Sequence, residues 1–325
     1  MNLRRIASGF DPLVRLLLVA IVLASFLPVT GFAREIAKVV SDAAIFLLFL
    51  LNGLRLPRKD VLAGISNARF LLPLIAWVFL AMGAVGLGLS HATAAFLPQQ
   101  AALGLLFLGI LPSTVQSATA YSSLAGGNVA ASVVAAAVLN VLGVFLTAPL
   151  LALLANTASA GIDLGGLERI ALILLLPFVL GQVLQGYAGA WVREHKSLTT
   201  WMDRIAIGIA VYVAFSGAVE QGLWSKVDLT AWAVLLAAVG AFLCFGFFGA
   251  WLLGGALRLS RPDRIAFLFA GAQKSIALGA PLATVLFPPQ IAGLLLLPVL
   301  VYHLLQLIIS APLAARLNAQ PEAHP

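Results

Sequence analysis

The chain has 325 residues, of which 62% are hydrophobic and only 10% charged, with a formal net charge of +7. A soluble domain carries about 25% charged residues. Composition therefore excludes a soluble enzyme or a nucleic-acid-binding domain, and the positive charge is read by its placement rather than its sum. Apolar segments of about twenty residues recur from end to end, the mark of an all-α polytopic membrane protein. The one cysteine, Cys244, excludes an internal disulfide and reads as a small core residue.

Met1–Arg5 is basic, and the apolar run Leu13–Leu27 is followed by Gly31, Phe32 and Ala33. That pattern resembles a cleavable signal, but the run reaches about twenty residues and many more follow, so it is read as a retained first helix. About ten transmembrane helices are expected, near 13–32, 37–54, 69–89, 98–124, 128–155, 167–191, 203–220, 230–256, 263–287 and 289–315. Asp42 and Glu220 then fall at span ends, in solvent. With the N-terminus in the cytoplasm, fourteen basic residues lie inside: Arg4, Arg5, Arg15, Arg55, Arg58, Lys59, Arg69, Arg193, Lys196, Arg204, Arg258, Arg261, Arg264 and Arg316. Four lie outside: Arg34, Lys38, Arg169 and Lys226. This positive-inside bias places both termini in the cytoplasm of a multi-pass protein in the plasma (inner) membrane.

Lys274 is the remaining cation. It sits in FLFAGAQKSIALGAP, residues 267–281, with no acid within ten residues on either side. A lysine at membrane depth costs roughly 2.5–3.5 kcal/mol on insertion scales, so it must face protein interior or water. Gln273 and Ser275 flank it, and Gly271, Gly279 and Pro281 permit a broken helix, which is tolerated only where it lines a site or is buried in protein. A second interruption lies in GILPSTVQSATAYSSLAGGN, residues 109–128, where Pro112 removes a backbone donor. Ser113, Thr114, Gln116, Ser117 and Thr119 follow it and supply hydroxyls and an amide, either to satisfy freed backbone groups or to coordinate a cation.

These stretches also correspond to one another. Gln116 and Gln273 are 157 apart, Asp42 and Asp203 are 161 apart, and Thr147-Ala148-Pro149-Leu150 matches Ser310-Ala311-Pro312-Leu313 at 163. The offsets predict two inverted five-helix repeats, 1–160 and 161–325, with broken helices 4 and 9 marking a site at the membrane midplane. Helix N-termini exposed at such breaks attract anions, and with Lys274 nearby a small organic anion is the expected substrate. Asn140, His303 and Gln306 are further candidates for the cavity, as are Asn52, Gln182 and Gln185. His303 and Gln306 share one helix face.

Pro112, Ser117, the run Gly127-Asn128-Val129-Ala130 with Ser132, and Gln273, Ser275 and Ala277 together resemble the bile acid:sodium symporter family in its bacterial SBF-like branch. The resemblance implies ten spans in two inverted repeats, with the fourth and ninth unwound and crossing near the midplane. It also implies a sodium-coupled symporter of bile-acid- or carboxylate-like anions. The departures fall on the sodium sites. The family's ninth-span Glu-x-x-x-Gln-Asn reads here with Phe269 at the glutamate and Lys274 at the asparagine. Its fourth-span Ser-Asn is Ser117-Ala118, and Ala136 stands for a fifth-span threonine. Ser117, Ser132 and Gln273 are the remaining sodium candidates.

No cofactor is expected. Sodium, a proton, or no coupling ion at all are the open alternatives, since a lysine can gain and lose a proton. A non-transporting membrane regulator with the same fold is the alternative function. A membrane enzyme is disfavoured, because the sequence shows no serine elbow, metal-ligand cluster or paired intramembrane carboxylates. The expected partners are the lipid bilayer and the anion, with no nucleic acid.

Overall fold

The computed structural model describes residues 11–55, 68–155 and 171–319. Arg4, Arg5, Arg58, Lys59 and Arg169, which carry part of the charge bias, lie outside the described residues, as does the expected repeat boundary at 160. Within them every regular element is helical. We number the helices α1 Pro12–Phe26, α2 Gly31–Arg55, α3 Ala68–Thr93, α4 Gln99–Ile110, α5 Val115–Leu124, α6 Val129–Leu154, α7 Leu172–Glu194, α8 Lys196–Glu220, α9 Leu229–Ala256, α10 Arg261–Ala272, α11 Ile276–Leu286 and α12 Pro289–Ala319. Among the described residues eight spans are long and apolar enough to cross a membrane, counting α10 with α11 as one. A ninth is formed if α4 and α5, bent by 58° at their junction, are one span. The first apolar run gives α1 of 15 residues, because the chain turns after Phe26 and α2 starts at Gly31.

That early start corrects one expectation. Asp42 lies in the middle of α2, half-buried, not at a span end. Cys244 is a second correction. It is exposed on α9, because that helix is apolar on all sides and only one face is packed.

The helices form two compact units. The first gathers α1, α2, α7 and α8 with residues 280–296. Its α2 and α7 approach backbone to backbone: a Cβ at Gly53 would come 2.3 Å from the Phe178 carbonyl oxygen, and one at Gly181 would come 2.3 Å from that of Leu50. Gln182 and Gln185 donate from α7 to the carbonyls of Gly53 and Leu54, at 2.5 and 3.4 Å. Two ion pairs, Arg34 with Glu220 and Arg55 with Asp203, join α2 to α8 at its two ends. Glu220 is thus paired rather than simply solvated.

The second unit gathers α3–α6, α9, α10, residues 276–279 of α11, and α12 from Leu297. Two caps fix its helix starts. The Asn128 side chain accepts from Ala131 N–H at the start of α6, and Ser260 accepts from Asp263 N–H at the start of α10. Asn128 also ties the two starts together, donating Nδ2 to Asp263 and its backbone N–H to the Pro262 carbonyl. From Ile265 to Ala272 every residue of α10 is buried, so this helix is interior rather than lipid-facing.

The glycine contact between α2 and α7 makes a stability prediction. Gly181→Ala inserts a methyl into a carbonyl and should destabilise by about 1–3 kcal/mol. Gly186→Ala, one turn on with nothing within 4 Å of its Cβ position, should be neutral or slightly stabilising. Thermal unfolding of the purified variants checks both.

Candidate functional site

Both interruptions lie in the second unit and follow from local chemistry. Leu111 precedes a proline, which disfavours the α region, and it is extended at φ −70°, ψ 147°. Thr114 and Gln273 are extended too. The broken segments are 111–114 and 273–275. Pro281 is not part of the second break, as expected from sequence, but lies inside α11.

Each break frees carbonyls that a continuous helix would have paired, and those of the first break find donors elsewhere. Lys274 Nζ donates to Gly109 O at 2.7 Å, to Leu111 O at 2.8 Å and to Val78 O at 3.0 Å. Thr147 donates to Ile110 O at 3.2 Å. Ser275 N–H donates to Pro112 O at 2.9 Å, and Asn140 Nδ2 to Ser113 O at 2.8 Å. Five consecutive carbonyls, 109–113, are thereby satisfied from outside their own helix. Val78 O is available because α3 contains a π-helical turn, Trp77–Ala81, in which Met82 N–H bonds to Trp77 O instead of Val78 O.

The second break is held by α12. Gln306 accepts from Lys274 N–H at 2.8 Å and donates to Lys274 O at 3.1 Å, holding both backbone polar groups of that residue. Its amide also meets His303 Nδ1 at 2.9 Å. Tyr302 donates to Ala272 O at 2.5 Å. Lys274 is 1% exposed and Gln306 and Gln273 are 0% exposed, so the arrangement is fully interior. An ammonium has three N–H groups, and all three are spent on carbonyls.

Gln273 links the breaks through side chains. Its Oε1 accepts from Thr114 at 2.7 Å and from Ser117, whose hydroxyl also bonds Thr114. Its Nε2 donates to Ser310 at 3.2 Å. Of the sequence candidates, the structure thus brings together Lys274, Gln273, Ser275, Thr114, Ser117, Ser113, Asn140, His303 and Gln306. Gln116 stands apart: it is exposed on the first turn of α5 rather than opposite Gln273. Ser132 bonds Ser122 at 3.2 Å, not Ser117 or Gln273, so hydrogen bonding does not join the three sodium candidates into one cluster. The hydroxyls of Ser113 and Thr119 are buried without a hydrogen-bond partner.

Sequence reasoning missed Tyr302, Val78 O and the roles of Thr147 and Ser310. Tyr302 carried a signal, a phenol beside His303 in an apolar helix. Val78 carried none, since its part is played by backbone. Where the resemblance places a glutamate, Phe269 is fully buried, its ring tilted on Tyr121 at 5.9 Å and edge-on to Phe247 at 6.5 Å.

The two helix starts after the breaks differ. Ser275 caps α11 by accepting from Leu278 N–H at 3.2 Å. Thr114, the N-cap residue of α5, makes no such bond, because its hydroxyl is committed to Gln273 and Ser117. The first turn of α5 thus has no side-chain cap, beside exposed Val115 and Gln116.

Comparison with known proteins agrees with this architecture. The chain is 39% identical over 301 residues to an uncharacterized protein of Pseudomonas aeruginosa, PA2026, covering 92% of this chain and 90% of that one. It is 35% identical to the putative symporter YfeH of Escherichia coli, covering 96% and 94%. It is 22% identical to the sodium/bile acid cotransporter 7 of Rattus norvegicus, covering 86% and 83%. The family model for SBF-like CPA transporters matches residues 11–319, the whole extent over which the helices and both breaks are described, and the chain belongs to that family.

Proposed function

We propose that this transporter is a secondary carrier of a small organic anion and that Lys274 serves it as a built-in cation in place of a coupling sodium ion. The observation that carries this is the contact of one ammonium with Val78 O, Gly109 O and Leu111 O at 2.7–3.0 Å. Sodium favours the same oxygen ligands, but a fixed positive charge in that nest of carbonyls repels a second cation. Phe269 and Ala136, both fully buried, stand where the resemblance gives sodium two oxygen-bearing side chains. With its three N–H groups engaged, Lys274 acts as a brace for the two breaks.

The anion is assigned to the first turn of α5, where the N–H groups lack a cap and Gln116 is exposed. A sodium/bile acid cotransporter among the relatives supports a bile-acid- or carboxylate-like anion as the class. In this reading the protein sits in the inner membrane with both termini cytoplasmic, and residues 1–160 and 161–325 form inverted repeats. It is a carrier and not an enzyme.

Uptake of small organic carboxylates into proteoliposomes tests the proposal. Replacing sodium by choline should change uptake less than about twofold; a strict sodium requirement, or no uptake across the panel, would refute it. Lys274→Ala leaves three interior carbonyls without their donor, at about 1–3 kcal/mol each. It should lower uptake more than tenfold and lower the melting temperature. Gln116→Ala should raise the half-saturation concentration several-fold with the melting temperature unchanged. A Gln116→Ala variant that transports with wild-type affinity would move the anion elsewhere.

A further inference from the structure

The turn between α9 and α10 has a feature unconnected with the breaks. Arg258 has φ +53° and is the only non-glycine residue with positive φ among the described residues. It closes α9 in a Schellman motif, with Leu259 N–H on Gly254 O at 3.1 Å and Arg258 N–H on Gly255 O at 2.9 Å. That position ordinarily takes glycine, because a Cβ is penalised there. The chain accepts backbone strain to put an exposed arginine at this turn.

Two more arginines converge on the same turn. Arg69 donates to Leu257 O at 3.0 Å. Arg264 donates Nε to Trp251 O at 2.9 Å, lies 3.8 Å over the Trp251 ring, and runs alongside Gly254 and Gly255, where a Cβ at either would meet it at 2.9 Å. Among the described residues none of the three pairs with a carboxylate. Asp263, the acid of this turn, is occupied by Asn128 and Ser260. The cluster closes the end of an apolar stripe, in which Cys244, Phe248, Leu252 and Ala256, four residues apart along α9, are all exposed, Phe248 at 69% and Leu252 at 66%.

We infer that this turn binds the phosphate of an anionic phospholipid, held by Arg258, Arg69 and Arg264, with an acyl chain along Cys244, Phe248, Leu252 and Ala256. Guanidinium groups match phosphate geometry, and basic residues at the membrane surface attract anionic lipid. The apolar stripe distinguishes a lipid from a free phosphate.

The strained backbone supplies a discriminating variant. Arg258→Gly relaxes the turn while removing the charge, so folding should be preserved or improved. Melting temperatures of detergent-purified protein would be measured with added phosphatidylglycerol, with phosphatidylcholine and with inorganic phosphate. The wild-type protein should be raised more by phosphatidylglycerol than by phosphatidylcholine, and hardly at all by inorganic phosphate. Arg258→Gly should start at or above the wild-type value and lose most of that difference, as should Arg69→Gln. Arg193→Gln, an equal loss of charge on an exposed arginine of α7, should keep it. A phosphatidylglycerol effect retained in both Arg258→Gly and Arg69→Gln, or lost equally in Arg193→Gln, overturns the site. An equal response to inorganic phosphate overturns the lipid as its occupant.

Discussion

Five buried main-chain carbonyls, 109–113, in an apolar helical protein set the terms for the second unit. Hydrocarbon offers them no donor, so a helix can open there only if protein supplies every missing bond. Lys274 supplies two of them and reaches a third carbonyl freed by the π turn of α3. Thr147, Ser275 and Asn140 supply the rest. Gln306 and Tyr302 then secure the segment that carries the lysine. The breaks are therefore mutual: each one holds the groups that make the other affordable.

This reciprocity explains why a lone lysine is accepted in an apolar run. A buried ammonium is costly unless its donors are paired, and here each N–H has a carbonyl. Under the proposed function the same ammonium takes the place of a coupling sodium ion. The aromatic packing of Phe269 against Tyr121 and Phe247 points the same way, since it fills with rings a place the resemblance gives to a carboxylate. The start of α5 has no side-chain cap, and a helix N-terminus favours negative charge.

The first unit is held by different means. Its α2–α7 contact depends on two glycines that bring backbones together, and its α2–α8 pair on an ion pair near each end.

Hydropathy was enough to place most of the apolar helices, and Pro112 the first break, because the membrane allows few alternatives to a continuous apolar helix. Lys274 stood out for the same reason, as did its neighbours Gln273 and Ser275. Sequence also ranked Gln116 as the partner of Gln273 by spacing, and Cys244 as a core residue by its apolar surroundings. Tertiary structure decided otherwise in both cases, since the face a side chain presents depends on where the preceding break leaves the helix and on which side is packed. Extended Thr114 and the first turn of α5 direct Thr114 and Ser117, not Gln116, to Gln273. Only the structure could show Val78 O, Thr147 and Tyr302 as partners of the breaks. Hydrogen bonds between residues 30 to nearly 200 positions apart leave no periodic trace in a chain, and a backbone carbonyl leaves no trace at all.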